Sequence, residues 1–151
     1  MRNRLSARRL LGILGVCAAC VAALQMGEAA QMKFTSIDRG QNSAIEESRE
    51  VVIRSAKEWT TLWKQVGTDR ALPKVEFARS MVVGVFLGTR PTGGYTVEIT
   101  NVQVEGQDLV VSYQERKPGA DELAAQVITS PYDLAIVDRH EGTVRFKREK
   151  G

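Results

Sequence analysis

Cysteine and histidine are nearly absent from this chain of 151 residues, which holds two Cys and a single His. That inventory cannot build a Cys₄ or Cys₂His₂ zinc site, nor a catalytic zinc site held by three His. Both cysteines, Cys17 and Cys20, stand in the first thirty residues. Proline is scarce at four residues, and aromatic residues make up only 6%. No block of like charge follows the amino-terminal segment, so a nucleic-acid-binding stripe is not expected. What remains open is a binding or structural domain, or an enzyme working with carboxylates, hydroxyls and Lys or Arg. No cofactor is expected.

The amino terminus reads as an address. Arg2, Arg4, Arg8 and Arg9 precede an uncharged run from Leu10 to Leu24, and Gly27-Glu28-Ala29 follows. Fifteen residues fall short of the roughly twenty that a spanning helix needs. A basic start, a short apolar run and small residues describe a secretory signal over residues 1–29, cut after Ala29. Lipid attachment at Cys20, after Cys17-Ala-Ala, is a second processing route. Either route places the protein outside the cytoplasm, in the periplasm or secreted, touching a membrane only through such an anchor. The leader's four Arg and Glu28 account for the whole net charge of +3, so the remainder sums to zero. After cleavage at Ala29 no thiol is left, and hence no disulfide.

Residues 30–50 read as an amino-terminal strand, Met32–Ile37, and a polar surface loop over 38–50. A domain over 51–148 begins with a strand at Val51–Arg54. Ser55-Ala-Lys-Glu58 is a capping box. Trp59, Leu62, Trp63 and Val66 then make one apolar stripe, and Gly67 is placed to stop the helix. This predicts a helix over 56–66, packed as a lid on a sheet.

The rest reads as strands. Met81 to Leu87 is continuously apolar, as for a central strand buried on both faces. Tyr95, Val97 and Ile99 alternate with polar residues, and the phase slips at Asn101, so that Val102 and Val104 continue on the other parity. A bulge near Asn101 is expected. Glu105–Asp108 is a turn into the Leu109–Gln114 strand, closing a hairpin. Gln126–Thr129, Leu134–Val137 and Val144–Lys147 are further short strands, with Asp138–Thr143 as a last hairpin turn in which Gly142 supplies a positive φ. The class is α+β, mainly β: an antiparallel curved sheet or small open barrel of about seven to eight strands covered by one helix.

Three loops hold more chemistry than connection requires. They are Gly88-Thr-Arg-Pro-Thr-Gly-Gly-Tyr95, Glu115-Arg-Lys-Pro-Gly119 and Thr129-Ser-Pro-Tyr132. The expected partner-binding residues are Arg90, Pro91, Thr92, Gly93, Gly94 and Tyr95 of the first, Arg116 and Pro118 of the second, and Ser130, Pro131 and Tyr132 of the third. Cations and amphipathic rings are enriched at binding hot spots. The first two loops should share one end of the sheet. Strict alternation of connections sends the third to the opposite end, unless Ser130-Pro131 kinks one long strand.

Together with Phe86–Ile99, these strings resemble the carboxy-terminal domain of the protease complex subunit PrcB family, over roughly Val51 to Phe146. The resemblance implies an exported accessory protein that associates with and stabilises an envelope protease complex without being a peptidase. Arg-Pro-Thr-Gly-Gly-Tyr is also similar to the loop that chagasin-type cysteine-protease inhibitors insert into their targets, which gives an alternative function. A hydrolase built on His140 is the remaining alternative, but the sequence sets that His in a polar turn without an evident nucleophile.

Overall fold

The computed structural model describes residues 29–150. The signal segment, Cys17 and Cys20 lie outside the described residues. Eight strands and one helix follow in the order β1 (Ala30–Gln31), β2 (Phe34–Gly40), β3 (Arg49–Ile53), α1 (Ala56–Val66), β4 (Ser80–Phe86), β5 (Thr96–Glu105), β6 (Asp108–Arg116), β7 (Tyr132–Asp138) and β8 (Val144–Glu149). The class is α+β and mainly β, as the strand-rich sequence implies. The strands divide into two four-stranded sheets, ordered β1-β5-β6-β8 and β2-β7-β4-β3, and no barrel closes. Among the described residues no helix is long and apolar enough to cross a membrane.

The two sheets pack face to face, and α1 covers the outer face of the second. β4 therefore lies between two apolar layers. Met81, Val83, Val85 and Leu87 meet Val97, Ile99, Val102, Leu109 and Val111 of the other sheet. Val82 and Phe86 point the other way, toward Trp59, Leu62, Trp63 and Val66 of the helix. A strand with both faces buried has no reason to alternate, which is why Met81–Leu87 is apolar throughout.

The helix is bounded as its sequence requires. The Ser55 Oγ accepts from the Glu58 N–H, the Glu58 carboxylate accepts from the Arg54 N–H at 3.1 Å, and Gly67 ends the helix at φ 74. Trp59 donates its indole N–H to the Pro73 carbonyl and Trp63 to that of Arg70. The 68–79 segment is thereby tied along one flank of α1. In β5 the register shifts between Ile99 and Asn101. This bulge lets Ile99 and Val102, of opposite parity, both face the core.

Three local expectations change. Gln126–Thr129 is not a strand: the edge of β6 that it would need is taken by β8, which pairs in parallel. Asp138–Thr143 is not a hairpin turn, because β7 and β8 belong to different sheets and this segment carries the chain between them. Gly142 is absent from the positive-φ glycines; it is required by closeness, since a Cβ there would lie 2.3 Å from the Gln107 carbonyl oxygen. The polar stretch 38–50 also contributes to the interior, with Asp38 and Ile45 both buried.

Candidate protein-binding end of the sandwich

The three proline-containing loops meet at one end of the sandwich. Arg90 pairs with Thr129 in an isolated antiparallel bridge, with Arg90 N–H to Thr129 O at 2.7 Å and the reverse bond at 3.0 Å. The Gly93 N–H donates to the Ala125 carbonyl at 2.8 Å, and the Thr129 hydroxyl donates to the Thr92 carbonyl at 2.9 Å. Gly94, at φ 84, lets the second loop come close: a Cβ there would stand 3.0 Å from Pro118 Cβ. The third loop joins the other two because residues 117–131 form no strand. They return over the same end and enter β7 beside β4.

The expected contact residues divide into three groups. Pro91 is exposed at the tip of the first loop, and Arg116 is exposed on the second. Thr92, Gly94, Tyr95 and Pro118 are partly buried, and Gly93 is buried against the 125 region. Ser130, Pro131 and Tyr132 leave the surface altogether. Ser130 donates its N–H to the Gln41 carbonyl, and the Pro131 carbonyl accepts from the Leu87 N–H at 2.9 Å. The Tyr132 ring stacks on Phe86 at 5.7 Å between centroids. Its hydroxyl donates to the buried Asp38 carboxylate at 2.7 Å, and burial together with that carboxylate raises its pKa to about 12. Apolar packing against α1 outweighs the exposure that a proline-bearing loop suggests.

Arg90 is occupied by the fold itself. Its Nε donates to Glu115 Oε1 at 3.1 Å, and the Glu115 side chain is 2% exposed. Its Nη1 donates to the Leu87 and Thr89 carbonyls, and its guanidinium sits 5.9 Å from the Tyr95 ring centroid. Arg148 holds the other carboxylate oxygen of Glu115 at 2.5 Å. The cation therefore fastens the first loop to β6 and β8 rather than reaching outward. Arg116 is paired with Glu122 at 2.6 Å, and Glu122 also accepts from the Gly119 N–H at 2.8 Å. That N–H and Arg116 hold the Glu122 carboxyl below its ordinary pKa.

The segment between the second and third loops also offers apolar side chains to solvent. Leu123 is fully exposed, Ile128 is 73% exposed and Val127 is 54% exposed. Of the four large apolar side chains that stand exposed among the described residues, these three share one loop. Sequence reading missed them by placing Val127 and Ile128 in a strand. Their signal was the apolar Leu-Ala-Ala-Gln-Val-Ile run carrying no clean two-residue period.

His140 lies at the opposite end, near the β5–β6 turn. Its Nε2 is 2.9 Å from the Gln107 carbonyl oxygen, so the ring donates there. Among the described residues no three His, Cys, Asp or Glu side chains are gathered as a metal would require.

Residues 81–138 match the family model described as PrcB C-terminal. The match runs from β4 to β7 and takes in all three loops, so the resemblance read from the loop sequences holds across this stretch. The strand β3, the helix and β8 lie outside it. No curated protein and no solved structure matches the chain.

Proposed function

We propose that the protein is an exported, non-catalytic binding domain that serves as an accessory or stabilising subunit of an envelope protease complex. The observation that carries this reading is the exposure of Leu123, Val127 and Ile128 to water on one loop anchored at both flanks. Three large apolar side chains held in solvent within six residues of one loop support a surface that another macromolecule covers. The match of residues 81–138 to the PrcB C-terminal family supports a protease complex as the setting. The contact surface is then Leu123, Val127 and Ile128 with Pro91 at its rim. Arg90, Tyr95 and the 130–132 segment act as the platform beneath. The ring of His140, bonded to a main-chain carbonyl, supports a structural rather than catalytic role.

Crosslinking in the native envelope tests the proposal, comparing wild type with the Leu123→Ser/Val127→Ser/Ile128→Ser variant. These side chains bury little, so the variant should melt as the wild type does, each exposed change being worth within about 0.5 kcal/mol. Wild type should crosslink to a peptidase subunit and the variant should lose at least roughly nine tenths of that product. Equal crosslinking by both proteins, or partners without a peptidase among them, overturns the reading. Micromolar inhibition of a papain-like peptidase, lost on Pro91→Ala, would put the inhibitor function in its place.

A further inference from the structure

The helix α1 has two flanks, and the chain covers only one. On the flank toward β7 and β2, residues 68–79 run alongside, with Arg70 bonded to Asp38 and Tyr132, and receive both indole N–H groups. On the other flank, between α1 and β3, a groove of about 540 Å³ stays open. Val51, Ile53 and Leu62 give it an apolar floor, Thr61 and Gln65 line the helix wall, and Arg49 and Lys57 bring positive charge. Beside it runs the outer edge of β3, the last strand of its sheet. β3 pairs with β4 along Arg49–Ile53, and among the described residues no backbone bond reaches its other edge.

We propose that this groove binds an extended segment of a partner protein, added as a strand to the free edge of β3. Every second residue of an edge strand turns its N–H and C=O outward, and only another extended backbone can pair that row. Side chains of an added strand point alternately to the two faces of the sheet, so every second one would enter the Val51–Ile53–Leu62 slot. A helix or a small molecule would fill the slot and leave the row unpaired.

Charge defines the segment further. Glu58 is spent on the helix cap, since it accepts from the Arg54 N–H and from the Ser55 hydroxyl. Arg49 donates through Nη2 to Gln65 Oε1 and lies over the Phe86 ring, yet its Nε is buried without a partner. Glu46 and Glu47 line the adjoining hollow beyond Arg49 together with Lys64. Arg49 and Lys57 therefore leave the groove wall net positive, Glu58 being the one carboxylate that lines it, and favour a segment carrying carboxylates at its ends.

The other edges are guarded. β8 carries exposed Arg145, Lys147 and Arg148, the charged edge that discourages pairing. β2 shifts register between Ser36 and Asp38, and its Ser36 and Arg39 side chains are drawn to Asp133. β1 is two residues long and pairs with Gln103 and Val104 of β5, and the Met32 N–H just beyond it bonds the Val102 carbonyl. Higher on β5, the Ile99 N–H is taken by the Asp133 carboxylate at 2.8 Å.

This inference does not rest on the loop-end reading, because the groove lies on the helix side of the other sheet. The probe is a fluorescent synthetic peptide, Glu-Val-Thr-Val-Thr-Val-Glu, titrated into the full mature chain with backbone amide shifts recorded by NMR. Saturable binding is expected, with shifts confined to residues 49–53 and the facing turns of α1. Thr61→Trp fills the groove from an exposed helix position and should weaken binding roughly tenfold or more. The same peptide with Gln at both ends should bind several-fold more weakly, and Arg49→Gln/Lys57→Gln should erase that difference. The Leu123→Ser/Val127→Ser/Ile128→Ser variant should bind the peptide as wild type does. The proposal is overturned if no binding appears at about millimolar peptide, if the shifts map to β8 or residues 123–128, or if Thr61→Trp binds unchanged. A dimer of the free protein that Thr61→Trp dissociates would place a second copy of the chain on the edge instead.

Discussion

Replacing Glu115 should loosen the proposed binding end from beneath, and the size of the effect follows from who is left behind. Glu115 is 2% exposed, Arg90 is 23% exposed and Arg148 is 52% exposed. Removing one member of a buried pair costs about 3–5 kcal/mol when the survivor stays buried and charged. After Glu115→Ala, Arg148 swings into water and Arg90 keeps the Leu87 and Thr89 carbonyls. The expected loss is therefore lower, about 2–3 kcal/mol. Arg90→Ala leaves Glu115 buried with Arg148 alone and should cost about 2 kcal/mol. Arg148→Ala touches a half-exposed partner and should cost about 1 kcal/mol or less. Because Arg90 and Glu115 touch, their double Ala variant should lose less than the sum, with a coupling of about 1.5–2 kcal/mol. Urea unfolding of the four variants beside wild type at neutral pH measures all of these. A coupling under about 0.5 kcal/mol refutes the reasoning. So does an Arg90→Ala variant of wild-type stability that fails to bind its partner, since Arg90 would then be a contact and not a clamp.

Other changes probe the scaffold. Gly88 sits at φ 71, and a Cβ there would lie 2.6 Å from the Glu46 carbonyl oxygen and the Ser48 nitrogen, both backbone. Gly88→Ala should cost more than about 3 kcal/mol, read as a large fall in thermal midpoint; a shift of a degree or two would contradict it. Burial, joined by carboxylate hydrogen bonds, raises Tyr113 and Tyr132 to about 12. Their contribution is complete below the ordinary phenol value of about 10 and is lost as pH rises toward the folded value, so stability should fall across that interval. Tyr113→Phe should flatten this alkaline limb in denaturation series. Ser55→Ala removes the helix cap and should cost about 1 kcal/mol in the same unfolding assay. The Arg54 N–H and the Ser55 hydroxyl hold the Glu58 carboxyl below its ordinary pKa. Its stabilisation is present above the unfolded carboxyl value of about 4.3 and disappears as pH falls through the depressed one, so Glu58→Gln should weaken the acid dependence.

Local features were legible because local forces make them. Ser55, Glu58, the Trp59–Val66 stripe and Gly67 define α1 by neighbours within one or two turns, and its bounds of Ala56 and Val66 follow. The parity slip at Asn101 announced the β5 bulge because side-chain period in a strand is two. The partition into sheets was not legible. Whether β8 pairs with β7 or crosses to β6 depends on which buries more of Val144 and Phe146, and nothing near the 138–143 segment encodes that choice. Buried charge was hidden for a similar reason. Asp38 and Glu115 read as loop acids until Arg70 and Arg90 arrive from distant segments to neutralise them, and Arg39 meets the buried Asp133 in the same way. The same holds for the binding end. Tyr132 reads as a loop aromatic, and only the packing of α1 decides that it is core.

That division of labour between buried platform and bare loop has a physical consequence for binding. A loop that must be ordered when its partner arrives loses affinity to conformational entropy. The 117–131 loop is already tied down, through Gly119 to Glu122, Ala125 to Gly93 and Thr129 to both Thr92 and Arg90. Its three apolar side chains stand between those ties. Association can then spend little on ordering backbone and gain most of what burial of Leu123, Val127 and Ile128 supplies. Each contributes about 1.5–3 kcal/mol when fully covered. Cutting one tie should therefore weaken the partner without touching any contact residue. Glu122→Ala, which removes the acceptor of both Gly119 and Arg116, should speed dissociation while leaving the fold's melting temperature nearly unchanged, because Glu122 is exposed. If the dissociation rate instead stays at the wild-type value, the ties are incidental and the loop binds by its apolar side chains alone.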